Sequence, residues 1–199
     1  YLMGKTHMKP DIAGMNRLGI EPQSELGRFL SNAGFGQGEH DDGLHTVGVA
    51  GGYGTGTPAY FEYLRKHGYA AKNPWVTHAN AMQDEHGILR NGMFLKYGHL
   101  PARVDKVHSE TAYTTDRAIE MIQHMGPQNW CLHVSYIKPH WPLAAPAPYH
   151  QMYRGMDLPQ ASKCAFQKIN AHPIYQAFMD LPQSQTYAQD DYRNHALPT

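Results

Sequence analysis

Two short segments set a lysine close to a histidine: Gly4-Lys5-Thr6-His7 and Lys138-Pro139-His140. A lysine is a compact cation for an anionic oxygen. A histidine donates a hydrogen bond or takes a proton near neutral pH. Brought together, the two pairs would enclose a tetrahedral oxyanion, either a sulfate or a phosphonate. Lys5, His7, Lys138 and His140 are therefore the candidate residues for holding such an anion. The chain holds 14 histidines, and most histidines are ordinary surface or loop residues, so placement in the fold has to select among them. No residue is assigned as a metal ligand. Asp84, Glu85 and His86 are consecutive, and neighbours on a helix point about 100° apart, so the triplet reads as solvated surface. A histidine-rich zinc hydrolase is the poorest reading, because no His-Glu-x-x-His motif or tight ligand cluster is present.

The elements around these segments read as an α/β unit. Tyr1 to Met3 have the character of the last residues of a buried strand. A helix is expected over 109–125, with Ser109 as cap, Glu110 in the first turn where an acid is favoured, and Ala112, Thr115, Ile119 and Ile122, with the neighbouring Ala118 and Met125, at helical apolar spacing. Gly126-Pro127 ends it. The near-continuous apolar run over 130–137 suits a central strand covered on both faces. Helix, short turn and strand form the repeating unit of layered α/β folds, whose ligands gather outside the carboxyl ends of the strands. Both lysine–histidine segments stand at such ends. An earlier helix is expected from Thr57 as cap and Pro58 in the first turn to Gly68, with Tyr60, Phe61 and Leu64 on its packing face. Residues 8–56 are rich in glycine, proline and aspartate, so long regular elements are not expected there. Neither glycine cluster, at 34–38 and 48–56, is followed by Gly-Lys-Ser/Thr, so both read as ordinary insertion rather than phosphate loops. Short helices are expected near 149–153 and 172–179, and helical character over 188–195.

The chain has 199 residues, 41% of them hydrophobic and 17% charged, a globular but loop-rich composition with 19 Gly and 14 Pro. Lysine plus arginine equals aspartate plus glutamate at 17 each, so no strongly basic field points to a nucleic-acid partner. No apolar run approaches the roughly 20 residues that span a bilayer. Two cysteines, Cys131 and Cys164, exclude a disulfide scaffold and a cysteine-rich zinc module. The opening Tyr1-Leu2-Met3 lacks an initiator methionine and a signal peptide, and both ends read as internal to a longer polypeptide. The compartment, cytoplasm or periplasm, is left open, as is the oligomeric state.

Several segments resemble the sulfatase and phosphonate monoester hydrolase branch of the alkaline phosphatase superfamily. Gly4-Lys5-Thr6-His7-Met8 is similar to the Gly-Lys-x-His-Leu segment of sulfatases, and Glu110 to Ile119 to the helix before a core strand. The most specific match is the strand Leu132-His133-Val134-Ser135-Tyr136, then Lys138-Pro139-His140-Trp141-Pro142, then Ala147-Pro148-Tyr149-His150. His172-Pro173 and Gln189-Asp190-Asp191 fit the phosphonate monoester hydrolase subgroup. The resemblance implies an α/β three-layer sandwich with a mostly parallel central sheet, of which residues 1–199 form the middle portion. It implies a hydrolase of small-molecule sulfate or phosphonate esters that uses a divalent metal, calcium or manganese, and a formylglycine nucleophile. By matching position, Lys5 would contact the nucleophile or ester oxygens and His7 would orient or deprotonate the formylglycine diol. His140 would bind the oxyanion and help the leaving group, and Lys138 would lend charge from behind.

The departures from that pattern are specific. The nucleophile motif, Cys or Ser-x-Pro-x-Arg, does not occur, and neither Cys131 nor Cys164 fits it. The family's paired aspartates should precede the Gly-Lys-x-His segment, whereas Asp41-Asp42 follows it, in a glycine-rich stretch. Thr6 stands where sulfatases often carry an aromatic residue. The nucleophile and the metal ligands are thus expected outside this chain. The alternative reading is a degenerate sulfatase-like module that binds anions, or serves structurally, without catalysis.

Overall fold

The computed structural model describes residues 1–43, 57–94, 97–127, 129–157, 159 and 172–181. The second glycine cluster, Cys164, the expected helix over 188–195 and the Gln189-Asp190-Asp191 segment lie outside them.

The framework is a three-stranded, wholly parallel sheet in the order β2–β1–β5, with β1 Leu2–Gly4 at the centre, β2 Gln37–His40 on one side and β5 His133–Ser135 on the other. The chain is α/β, as the sequence indicates. Two short helices, α1 Ile12–Arg17 and α2 Glu25–Ser31, lie between β1 and β2. Each starts on a side-chain cap: Asp11 accepts from the Gly14 amide and Ser24 from the Gly27 amide. The elements described in the glycine-rich opening third are short, as its composition leads one to expect. Glycine and proline mark where elements stop, but they do not prevent short capped helices between the stops.

All three residues of β1 are buried, which fits a strand flanked on both edges. Gly4 is required at its end. Its φ is +89°, and a Cβ there would lie 2.0 Å from the Ser135 carbonyl oxygen. The same close approach lets the Lys5 amide donate to Ser135 O at 3.0 Å, while on the β2 side the Asp41 amide donates to Gly4 O at 3.1 Å. On the other edge, Leu2 aligns with Gln37 and Gly4 with His40, so β2 carries one residue more than β1 over the same stretch.

Helix α3 Ala59–Lys66 buries Tyr60, Phe61 and Leu64, the expected face, although Pro58 takes the cap position in place of Thr57 and no side chain caps it. Proline lacks the N–H that would otherwise need a cap. A single π-helical turn, Trp75–Ala79, closes with a bond from the Asn80 amide to Trp75 O at 2.9 Å. An antiparallel hairpin follows, β3 Ala81–Gln83 with β4 Leu89–Asn91. Its turn holds Asp84, whose carboxylate accepts from the His86 and Ile88 amides and pairs with Arg90, while Glu85 and His86 are exposed as anticipated.

Helix α4 Glu110–Met125 is capped by Ser109, which accepts from the Ala112 amide. Its buried face shares Ala118 with the expected one and is otherwise rotated from it. Glu110, Tyr113, Thr114 and Ala118 face inward, whereas Ile119 and Ile122 are 47% and 43% exposed. The ring of Tyr113 sits 5.0 Å from that of Tyr60 and 4.7 Å from that of Tyr63, and this aromatic anchor sets the rotation of the helix. Tyr60 Oη also donates to His108 O at 2.8 Å, tying α3 to the start of α4. The main hydrophobic cluster joins α3, Trp75, Ala79, Met82, Val104 and Tyr113. Strand β5 is shorter than the apolar run over 130–137, stands at the edge of the described sheet, and is half-exposed; Trp130 is 44% exposed. Of that run, only Ile137 is buried. Helix α5 Pro173–Met179 is exposed throughout, with His172 as its cap.

Gly4→Ala is expected to cost about 3 kcal/mol, because it combines a disfavoured φ with a clash against backbone rather than a movable side chain. Urea denaturation of the two proteins measures it; an unchanged midpoint would mean that β1 and β5 do not pair in this register.

Candidate functional site

The three parallel strands end on one side, and their exits line one cleft. Lys5 and His7 follow β1, Asp42 follows β2, and Ile137, His140, Trp141 and Pro142 follow β5. Trp75, Val76 and Asn80 form the inner wall, and Asn91 and Met93 come from the end of the hairpin. The cleft has a volume of about 560 Å³. Lys5, His7 and His140, which the sequence nominated from segments more than 130 residues apart, are thus brought together. Lys5 is half-buried; His7 and His140 are exposed at the mouth. The His140 imidazole has Nδ1 2.8 Å from Trp141 O, which holds the ring against its own loop. That loop is fastened to the hairpin by Leu143 N to Gly92 O at 2.7 Å, and Gly92 N in turn donates to Asn80 O at 2.9 Å.

Lys138 is placed differently. Its ammonium donates to Asn80 Oδ1 at 2.7 Å and to the Pro142 carbonyl oxygen, and it lines a neighbouring, mostly apolar cavity of about 550 Å³ rather than the cleft. Asn80 borders both spaces. Lys138 therefore meets the cleft through Asn80, and its donors are already engaged by the fold. Burial lowers its pKa to about 8, against the opposing pull of the Glu110 charge.

Sequence reasoning missed a buried acidic group behind the cleft. Asp41 and Asp42, read as a loop pair in the wrong order for the family's aspartates, are 4% and 9% exposed at the exit of β2. Glu110, read as a first-turn acid favoured by the helix dipole, is 6% exposed. The Trp75 indole N–H donates to Glu110 Oε1 at 2.6 Å. The indole fits there because residue 43 is glycine: φ is +68°, and a Cβ would come within 2.7 Å of the ring. Burial raises the Glu110 pKa to about 8, helped by the Asp41 charge, and the indole bond and the Lys138 and Lys5 cations oppose it. Burial likewise raises Asp41 to about 6, opposed first by its bond from the Gly43 amide, 2.9 Å, and also by a hydrogen bond with Glu110. Two carboxyls can share such a bond only with a proton between them. Asp42 Oδ2 lies 3.7 Å from His40 Nε2. The sequence offered one usable clue, an Asp-Asp pair directly after a strand; nothing in it marked Glu110 as buried.

No family model matches the chain. Over 82 residues it is 32% identical to the multifunctional alkaline phosphatase superfamily protein PehA of Trinickia caryophylli, a stretch that covers 40% of this chain and 16% of that protein. Over that stretch the chain is similar to a member of the alkaline phosphatase superfamily. A solved structure, the phosphonate monoester hydrolase SpPMH from Silicibacter pomeroyi, is 30% identical, with a TM-score of 0.45, over 55% of this chain and 20% of its own. The matched regions span a fifth or less of either relative's length. Members of the superfamily are metal-dependent. Among the described residues, no group of three or more histidine, cysteine, aspartate or glutamate side chains is placed to hold a metal ion, so these residues do not assemble that donor set. Among the same residues, no helix is long and apolar enough to cross a membrane.

The buried acids give stability a definite pH dependence. A carboxyl whose pKa is raised by folding contributes stability that is complete below its unfolded value and is lost as pH rises through its folded value. Stability is therefore expected to fall as pH rises through about 6 for Asp41 and about 8 for Glu110. Glu110→Gln keeps the acceptor for Trp75 and cannot ionise, so it should lose less stability between about pH 5 and pH 8.5 than the natural protein. Urea midpoints for both proteins at the two pH values check this; parallel losses would contradict it.

Proposed function

We propose that the chain supplies the oxyanion-binding wall of a hydrolase that acts on sulfate esters or on phosphonate and phosphate mono- and diesters. The observation that carries this reading is the convergence of Lys5, His7 and His140 on one cleft at the carboxyl ends of parallel strands. The similarity to a member of the alkaline phosphatase superfamily supports it.

In this reading the Lys5 ammonium sits against the equatorial oxygens of the bound ester and His140 donates to the oxyanion. Charge that builds on these oxygens in the transition state is met by donors already held in place, an effect worth several kcal/mol in a dry site. His7, at the mouth, is positioned to donate to or accept from the group that attacks or departs. Trp75 and Trp141 give the cleft apolar walls for the organic part of the ester. The nucleophile, and any formylglycine made from a Cys or Ser, would come from outside residues 1–199, as would the ligands of a calcium or manganese ion. Residues 1–199 are then the middle portion of a catalytic domain, and alone they are expected to bind the anion without turning it over.

A second reading is an anion-binding module without catalysis, and absence of Cys or Ser-x-Pro-x-Arg from the longer polypeptide would favour it. Turnover separates the two. In the longer polypeptide that carries this chain, His140→Ala should lower kcat/KM for a sulfate or phosphonate ester by about 10²–10³-fold. An unchanged rate overturns the role of His140, and absence of any turnover in the natural polypeptide favours the module. In the chain itself, Lys5→Ala and His140→Ala should each weaken sulfate binding by about tenfold or more, as expected for loss of a charged hydrogen bond. Equilibrium titration monitored by tryptophan fluorescence reads it.

A further inference from the structure

We propose that Glu110 is a positioning residue for the cleft: it fixes the indole of Trp75, the cleft's inner wall, and its protonation state sets how strongly the cleft holds an anion. The proposal rests on the reading of the cleft as an oxyanion site and goes beyond it, because Glu110 does not line the cleft.

Three elements converge to place this carboxyl. Ser109 caps α4 and sets Glu110 in its first turn. Tyr60 and Tyr63, both on α3, bond to the His108 carbonyl and to His108 Nδ1, each at 2.8 Å, and so pin the residue before the cap. The Trp75–Ala79 turn then aims the indole N–H at Oε1, 2.6 Å away. The second oxygen, Oε2, is buried with no donor to it among the described residues, as is Asp41 Oδ2. A proton carried by Glu110 resolves both, since a protonated carboxyl can donate where a carboxylate cannot. An uncompensated carboxylate in this position would instead carry a large desolvation penalty.

The charged and titratable groups that face Glu110 come from every element packed around it: Asp41 from the β2 exit, Lys5 from the β1 exit, Lys138 from the β5 exit and Tyr60 from α3. With Glu110 neutral, the Lys5 and Lys138 cations are opposed by Asp41 but not by Glu110, and their field reaches the cleft. Ionisation adds a negative charge behind Lys5 in a poorly screened interior, where it opposes a bound anion. The indole bond survives ionisation, because a carboxylate is the stronger acceptor. The two functions of Glu110 therefore separate. The acceptor oxygen holds Trp75 at every pH, and the proton governs affinity.

The probe is inorganic sulfate, titrated against the full chain by tryptophan fluorescence at about pH 7 and about pH 9. The ratio of Kd at the higher pH to Kd at the lower is expected to be several-fold larger for the natural protein than for Glu110→Gln. Glu110→Ala should bind weakly at both pH values, and Glu110→Gln should restore binding at pH 7; a merely structural role would not give a pH profile that vanishes with the isosteric amide. Equal pH ratios in the natural protein and Glu110→Gln overturn the proposal. A second readout needs no ligand. With Trp130 and Trp141 replaced by phenylalanine, Trp75 is the remaining indole of the three in the sequence. Its emission should change with a midpoint near pH 8, and the change should be absent when Glu110→Gln is added. No such change overturns the proposal. If the change is present but sulfate binds at neither pH, the oxyanion reading of the cleft falls, and with it the control of affinity, while the fixing of Trp75 by Glu110 stands.

Discussion

Everything at the site depends on how closely two parallel strands approach at Gly4. The absence of a side chain there brings the Ser135 carbonyl within bonding distance of the Lys5 amide, and that bond continues the β1–β5 ladder one residue beyond the strand. Parallel pairing then puts both exits on the same side of the sheet. Two lysine–histidine segments that are remote in sequence become neighbours because their strands are neighbours and share a direction. A bulkier residue at position 4 would separate the strands at the point where the site begins.

Behind this polar rim the protein tolerates an unusual concentration of buried acid. Asp41 and Glu110 are held in a region whose cations are Lys5 and Lys138, and Lys138 is itself pushed down by burial. Full ionisation of every group would leave several charges out of water with incomplete hydrogen bonding. The indole donor from Trp75 to Glu110, the Gly43 amide to Asp41 and the Asn80 and Pro142 acceptors for Lys138 offset part of that cost. The arrangement keeps positive charge at the front, where Lys5 meets solvent, and keeps the balancing acids behind it.

How much of this could be read from the residues alone follows from what local patterns encode. Ser109 and Gly126 bracket α4, and Tyr60, Phe61 and Leu64 give the packing face of α3, because capping and helical spacing are properties of short windows. The α/β class and the strand-end placement of Lys5, His7 and His140 were legible for the same reason. The rotation of α4 was not, since Ile119 and Ile122 are as apolar as the buried positions and only the contact of Tyr113 with the α3 rings chooses between faces. Glu110 illustrates the same limit. An acid in the first turn of a helix looks complete as a dipole partner, and its burial is visible only once Trp75, distant in sequence, is packed on it. Lys138 stood one proline away from His140 and was named with Lys5 as a substrate contact, yet it donates to Asn80 and Pro142 and meets the cleft only through Asn80.

The extra residue in β2 has a consequence for how this site can vary. Side chains alternate across a strand, so the count of residues between Gly36 and Asp42 determines which of the two adjacent aspartates looks toward the cleft and which toward Glu110. Point substitutions in that stretch alter one contact each. Loss or gain of a single residue would exchange the two carboxyls and disturb the electrostatics on both sides of the strand at once, so chain length there is held more tightly than chain composition.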